Sequence, residues 1–366
     1  MEKTCIFCGK PPKNKTKEHI IPKWLIEFTK QNYEKLPFGP YYKFDESNKL
    51  ILDFRTFPFK NFVYPACKTC NNEYSELEKR VKVVVLKLLN ESPLANIDFN
   101  LLLSWFDKIR IGLYLANIYN SQNILGIQPK FYINQGAQTK DRMLLIYRIP
   151  DREDNLLFGG VGLPAFIHYP LSFFLIINNY GFLNICDDLL LAKSFGLPYP
   201  EKRFLCYDQN FDIIVPGTNK IEYPVIDVEY QEICTQIYQP ILNNDFKNLI
   251  KQKCPENHYK QVFSTRDSNY GRIFYKKPNI PIKEYQRDEN QDWIPRKNEI
   301  LTKRNIMDYL TLISLRVQVQ YLSEYGVEIA PERSRFINQK FKLAIEMNKA
   351  IIDYLERHSS VKKTKF

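Results

Sequence analysis

Hydrophobic residues recur at intervals of three and four in the stretch NNEYSELEKRVKVVVLKLLN. At this spacing they would share one face of a helix, and the charged residues between them would lie on its other faces. The pattern therefore predicts an amphipathic helix that ends near the Glu-Ser-Pro triplet that follows. The positions on its buried face are Tyr74, Leu77, Val81, Val84 and Leu88.

Longer apolar runs predict the elements that follow this helix. The segment FNLLLSWFDKIRIGLYLANIYN is apolar on most sides, which is typical of a helix buried in a larger domain. The middle third has short runs such as RMLLIYRIP, AFIHYPLSFFLIINNYGFLNICDDLLL and DIIVPGTNKIEYPVI, which predict strands, with a hairpin turn at NNYG. Residues 303–326 and 331–358 return to a helical pattern.

Length and charge indicate two units and an anionic partner. A chain of 366 residues exceeds the size at which a single core usually stops growing, and we place the boundary near residue 95, where the pattern changes. The formal net charge of +11 attracts polyanions such as nucleic acid. No stretch approaches the roughly 18 uninterrupted apolar residues of a membrane span, and no apolar run follows the basic N-terminus. We therefore expect a soluble, cytoplasmic protein with no membrane partner.

Two C-x-x-C pairs are the strongest chemical signal in the chain. Cys5 and Cys8 form the first pair, and Cys67 and Cys70 form the second. Each pair can make a tight knuckle that offers two thiolates, and two knuckles complete a tetrahedral zinc shell. Two unrelated pairs or a redox dithiol are the alternatives.

The gap between the two pairs is longer than the roughly 15 to 20 residues of a compact zinc ribbon. Within it, KWLIEFTKQNYEKL predicts a helix of about three turns, and YYKFDESNKLILDFRTF predicts two strands around a polar turn. The long gap therefore implies an inserted helix and hairpin.

The sequence EHIIP at 18–22 lies between the cysteine pairs, and two asparagines follow the second pair at 71–72. In this order the features resemble the HNH endonucleases, in which a β-hairpin and a helix hold one catalytic metal and a four-cysteine zinc site often stabilises the unit. The resemblance covers roughly the first 90 residues. The chain departs from the usual pattern in its long gap and in having no histidine in the segment of the second cysteine pair.

The resemblance implies a role for each matching residue. Glu18 would be a metal ligand, His19 would be the general base, and Asn71 would take the place of the final His or Asn ligand. Asn61 is the best match to the central asparagine and would brace the loop that carries His19.

Further residues would support this site. Asn72 and Glu78 are the next candidates for metal binding, and Tyr74 and Leu77 fit a subset of the family in which an aromatic residue and Leu-Glu follow the asparagines. The substrate backbone would lie beside the lysine-rich segment that precedes Glu18 and contains Lys13, Lys15 and Lys17.

The resemblance predicts an α+β protein with an N-terminal zinc-stabilised ββα-metal HNH nuclease unit, residues 1–95, and a larger mixed α+β domain with C-terminal helices, residues 96–366. It implies hydrolysis of phosphodiester bonds, with double-stranded DNA as the expected substrate, RNA as the alternative, and phage defence or restriction as the expected setting. Carboxylate and amide oxygens favour Mg²⁺ or Mn²⁺ as the catalytic metal, distinct from the structural Zn²⁺. Residues 96–366 would recognise the substrate, or would bind a regulatory protein or a second copy of the chain.

Other interpretations of the same residues remain open. The protein could be a zinc-stabilised module that binds nucleic acid without cleaving it. The Glu18-His19 pair could lie on a solvated turn, and Asn71 could cap the following helix, since asparagine is a favoured N-cap. Glu78 could be a solvated residue on a charged helix face, and His168 a core histidine with satisfied hydrogen bonds.

Overall fold

The protein is described by a computed structural model. It covers residues 4–31, 35–44, 46–47, 50–59, 62–120, 128–149, 155–187, 202–206, 211–215, 234–239, 241–242, 264–265, 273–276, 283–284, 293–295, 303–326 and 331–358. The helices are α1 Lys23–Phe28, α2 Lys68–Leu89, α3 Asn96–Asn120, α4 Ile133–Gly136, α5 Pro164–His168, α6 Lys303–Glu324 and α7 Pro331–His358. The strands are β1 Thr16–His19, β2 Lys35–Phe44, β3 Leu50–Pro58, β4 Val63–Ala66, β5 Arg142–Arg148, β6 Leu156–Gly159, β7 Ser172–Ile177, β8 Tyr180–Cys186, β9 Lys202–Cys206, β10 Phe211–Val215, β11 Cys234–Gln239, β12 Ile241–Leu242, β13 Ser264–Thr265, β14 Phe274–Lys276, β15 Lys283–Glu284 and β16 Tyr325–Gly326.

A seven-stranded antiparallel sheet, in the order β15-β14-β11-β5-β8-β7-β6, is the largest sheet among the described residues. Both of its faces are covered. Since alternate residues of a strand point to opposite faces, Leu144 and Ile146 pack on the side of α3, whereas Leu145 and Tyr147 pack against α6. Burial on both faces explains why these strands read as nearly continuous apolar runs.

Helix α3 is buried around most of its circumference, as its apolar sequence predicts. Its side chains lie in the same hydrophobic cluster as residues of the sheet and of the first 90 residues of the chain. Trp105 stacks on Trp24 of α1 at 6.5 Å between ring centroids. Gly112 lies so close to Ile20 that a Cβ there would be 2.9 Å from the isoleucine side chain. The chain on both sides of the predicted boundary near residue 95 therefore shares one hydrophobic core.

The first 90 residues contain a strand pair followed by a helix. β1 and β4 pair antiparallel, with His19 opposite Val63, and α2 begins directly after β4. The predicted inserted helix and hairpin are present between them as α1 and the β2–β3 pair. The amphipathic helix predicted from the spacing of Tyr74 to Leu88 is α2.

Two predicted elements differ from the structure. α1 is shorter than the expected three turns, because Lys30 takes a positive φ of 58° and the Gln31 amide donates back to the Ile26 carbonyl at 3.0 Å, which closes the helix. The run AFIHYP, read as strand, contains the short helix α5, which starts at Pro164, a residue favoured in the first helical turn.

The predicted α+β class and the C-terminal helices α6 and α7 are confirmed. Among the described residues, no helix is both long enough and apolar enough to cross a membrane.

His168 ends α5 and is 2% exposed, so its predicted place in the core is confirmed. Its ring packs edge-on against Phe341 of α7 at 5.1 Å. The expectation of satisfied hydrogen bonds is wrong for one nitrogen, because Nδ1 has no hydrogen-bond partner within the described part of the chain. Burial, with smaller contributions from Lys130 and Lys340, lowers the pKa of His168 to about 3.

We expect His168→Gln to reduce the loss of stability at mildly acidic pH. In the unfolded chain this imidazole binds a proton near pH 6.5, whereas in the folded protein it stays neutral down to about pH 3, so stability falls as pH drops below 6.5. Between pH 7.5 and 5 the wild type should lose roughly 2 kcal/mol more than the variant. Urea unfolding at both pH values measures this difference, and equal losses in the two proteins would contradict it.

Candidate active site

The four cysteines of the two C-x-x-C pairs converge in space. Their sulfur atoms all lie within 4.8 Å of one another, and the Sγ atoms of Cys8 and Cys67 are 3.9 Å apart. Within the described residues, this is the one group of three or more His, Cys, Asp or Glu side chains that is close enough to share an ion. The predicted pairing of the two knuckles into one cluster is therefore confirmed, and two unrelated pairs are excluded.

The first knuckle is a tight turn closed by its own backbone. The Gly9 amide donates to the Cys5 carbonyl at 2.8 Å, and the Cys5 amide donates to the Lys10 carbonyl at 2.9 Å. Gly9 has a φ of 74°, and a Cβ there would lie 2.4 Å from the ring of Tyr132. Glycine is thus required both by the turn and by the segment that packs on it.

The second knuckle is formed by the start of α2. Cys67 is the N-cap residue and Cys70 lies in the first helical turn. The Lys13 amide donates to the Cys67 sulfur at 3.3 Å, and the Cys67 amide donates to the Cys5 sulfur at 3.2 Å. The Lys13 bond lowers the pKa of Cys67, but burial and the neighbouring Cys5 and Cys8 leave that pKa above its ordinary value.

Chemistry and spacing both fit a structural metal. A tetrahedral shell with zinc–sulfur bonds of about 2.3 Å has sulfur atoms roughly 3.8 Å apart, close to the Cys8–Cys67 distance. Burial and the nearby charges of Cys5 and Cys8 raise the pKa of Cys70 to about 12. A bound cation would therefore favour the thiolate of Cys70.

Glu18 and His19 are the last two residues of β1. Glu18 is buried, with 6% of its surface exposed, and His19 is half-buried. A solvated turn at this dipeptide is therefore wrong, because the pairing of β1 with β4 holds it in a strand against the core.

The carboxylate of Glu18 pairs with Lys108 of α3. The lysine Nζ lies 2.5 Å from Glu18 Oε1 and 2.5 Å from Glu78 Oε1, and it donates to the His19 carbonyl at 3.1 Å and more weakly to that of Ile20 at 3.4 Å. The ammonium is fully buried. Burial alone would lower the pKa of Lys108, but the charges of the two carboxylates raise it above its ordinary value.

Glu78 is therefore not the solvated residue that a charged helix face would suggest. Its side chain is 18% exposed and shares one cation with Glu18. It lies on the side of α2 that faces β1 and α3, next to Leu77, which packs against the hydrophobic core. The structure thus brings two carboxylates to one point beside His19.

His19 has a cationic environment. Burial lowers its pKa below the ordinary value, and the positive charges of Lys108, Lys23 and Lys17 act in the same direction, opposed by Glu78. Lys17 and Lys23 are exposed, so the half-buried imidazole lies beside solvent-accessible positive charge. Lys13 and Lys15, the other lysines of the predicted substrate-binding segment, are also exposed.

Asn71 does not cap α2, because Cys67 is the N-cap and Asn71 lies within the helix, its amide donating to the Cys67 carbonyl. Its side-chain Nδ2 donates instead to the Thr16 hydroxyl at 3.1 Å, at the opposite end of β1 from His19. Asn72 is exposed, and Asn61 lies outside the described residues.

Lys108 is the residue of this site that motif-based reasoning missed. The signal was present, since FDKIRIG places two cations and one acid in a helix with apolar residues on most sides. A lysine buried in such a helix needs an anionic partner. The sequence does not identify that partner, which comes from residues far away along the chain.

Comparison with protein-family models, with curated proteins and with solved structures found no match to this chain.

Cys67→Ser should remove bound zinc and destabilise the protein, because metal binding and folding are coupled in small metal-dependent units. Elemental analysis of freshly purified protein, together with thermal melting, measures both effects. Cys234→Ser is the matched control, since Cys234 is a buried thiol on β11 outside the cluster, and it should keep its zinc. A wild-type protein without zinc, or zinc that survives loss of Cys67, would contradict the prediction.

Proposed function

We propose that the protein is a metal-dependent endonuclease of the HNH type that hydrolyses phosphodiester bonds in DNA, with His19 as its general base. The observation that carries the proposal is the position of His19. It ends β1 of an antiparallel pair that is followed directly by a helix, and the four-cysteine cluster holds the start of that helix to the first knuckle.

His19 has the properties that a general base requires. A base at neutral pH must be unprotonated and must reach a water molecule, and the half-buried imidazole lies among positive charges that disfavour its protonated form. Its role is to take a proton from the attacking water at a ring nitrogen. The main-chain carbonyl of the same residue accepts a hydrogen bond from Lys108, which restrains the backbone that carries the imidazole.

The exposed lysines support a nucleic-acid substrate. Lys17 and Lys23 lie near His19, where their charges lower its pKa, and both can contact backbone phosphates. Phosphate contacts of this kind orient a nucleic acid without reading its sequence. They are equally expected in a module that binds nucleic acid and cleaves nothing, so the test must measure cleavage as well as binding.

The donor atoms near His19 fit a hard divalent cation. Carboxylate oxygens are preferred by Mg²⁺ and Mn²⁺, and Glu18 and Glu78 already converge on one cationic group. When bound, the cation would supply charge stabilisation for the phosphate and for the leaving oxygen. The resemblance implies Asn71 as the second ligand, whereas the geometry favours Glu78, since the Asn71 side chain is bonded to Thr16.

His19→Ala should lower the rate of plasmid cleavage by about a hundredfold or more, because it removes a general base. Zinc content, melting temperature and DNA binding should stay nearly unchanged. The assay compares supercoiled DNA, single-stranded DNA and tRNA with Mg²⁺ or Mn²⁺, with and without chelator. His358→Ala, at the last residue of α7, is the control.

A near-normal rate for His19→Ala would remove His19 from the mechanism. Binding of DNA by the wild type with no cleavage under any metal condition would leave the binding module as the better description.

Glu78→Gln and Asn71→Ala distinguish the two candidates for the second metal ligand. If Glu78 is the ligand, Glu78→Gln should raise the Mn²⁺ concentration needed for half-maximal cleavage by at least about tenfold, and Asn71→Ala should change it less. Cleavage rates across an Mn²⁺ titration decide between them, with melting curves to exclude unfolding. The reverse order of effects would assign the role to Asn71.

A further inference from the structure

The Lys108 ammonium is surrounded by oxygen atoms. Carboxylates of Glu18 and Glu78 lie on it at 2.5 Å, and the carbonyls of His19 and Ile20 complete the shell. An ammonium has three protons for these four acceptors, so no donor is left over. Carboxylate and carbonyl oxygens are also the atoms that surround hard divalent cations in proteins.

We propose that Lys108 is a positioning residue of the His19 site, which holds Glu18 and Glu78 together in the metal-free protein and competes with the divalent cation for both carboxylates. This inference rests on the proposed function, because it takes Glu18 as a metal ligand. It adds a residue from α3, beyond the part of the chain that resembles a nuclease.

Electrostatics explains why the site needs a resident cation. Two carboxylates that face each other in the interior repel, and water is largely excluded from them, since their side chains are 8% and 18% exposed. One positive charge between them offsets most of the free-energy cost of burying two negative charges side by side. A dication would serve the same purpose, but it cannot bind the same oxygens while the ammonium remains 2.5 Å from each.

A lysine side chain can be displaced from the two carboxylates by a metal ion. Its charge is compact and sits on a flexible stem of four carbons, so the ammonium can withdraw without movement of the helix backbone. The bonds from Lys108 to the His19 and Ile20 carbonyls would then be released. Metal binding and the bonds that attach residues 19–20 to α3 are therefore linked. By thermodynamic reciprocity, metal binding weakens this attachment, and the attachment weakens metal binding.

The test measures Mn²⁺ binding to the full-length, zinc-loaded protein, with free Mn²⁺ followed by electron paramagnetic resonance. Lys108→Met removes the charge and keeps the shape, whereas Lys108→Gln also removes the charge but retains two hydrogen-bond donors. Lys79→Met is the matched control, since Lys79 is an exposed lysine of the same helix as Glu78 and pairs with Glu76 at the surface. Both Lys108 variants should bind Mn²⁺ at least about tenfold more tightly than the wild type, and the control should not.

Thermal melting with and without Mn²⁺ covers the case in which the variants are unstable. If both Lys108 variants unfold without metal, Mn²⁺ should restore their folding, because a ligand stabilises the state it binds. Failure of Mn²⁺ to restore it, or a folded Lys108→Gln with unchanged or weaker Mn²⁺ affinity, would overturn the proposal.

The two proposals can fail separately. Tighter Mn²⁺ binding by Lys108→Gln in a protein that cleaves no nucleic acid would support the competition and remove the nuclease function. If the wild type cleaves nucleic acid but Lys108→Gln binds Mn²⁺ with the same affinity as the wild type, the nuclease function stands and the competition by Lys108 is removed.

Discussion

The ammonium of Lys108 is fully buried, and it remains charged there only because two carboxylates and two carbonyls surround it. Removing one charged partner of a buried ion pair such as this costs about 3 to 5 kcal/mol. The requirement therefore brings three separate parts of the chain to one point: Glu18 at the end of β1, Glu78 on α2 and the centre of α3. The position of His19 depends on this ion cluster, because Lys108 bonds to its carbonyl.

The cysteine cluster and the ion cluster hold β1 at its two ends. Near its first residue, the sulfur atoms tie the first knuckle to the start of α2, and Thr16 is bonded to Asn71. Near its last residue, Lys108 binds Glu18 and the backbone of His19. A strand held at both ends between a helix and a buried core has little freedom to move. Such placement is what a positioned catalytic base requires.

Local sequence patterns predict the helices and strands well, but they do not predict which distant side chains pair with each other. The periodicity of α2, the long apolar run of α3 and the short apolar runs of the sheet strands are local features of the sequence, and the predicted elements are present. The segment that forms α5 is predicted as strand, because an apolar run of a few residues is equally typical of a strand and of a short buried helix. The partner of Glu78 could not be read from its helix, because that partner is a lysine 30 residues further along the chain.

The sequence alone determined the α+β class, the two knuckles with their four cysteines and the inserted helix and hairpin, since these depend on residue type and on spacing along the chain. Only the tertiary structure decided that Asn71 bonds to Thr16, that Glu78 joins Glu18, and that Lys108 supplies their shared cation. The reason is physical. In a helix or strand, buried residues recur at a fixed spacing along the chain, so the pattern can be read from neighbouring residues. The pairing of buried charges depends instead on which distant residues the packed core brings within a few ångströms.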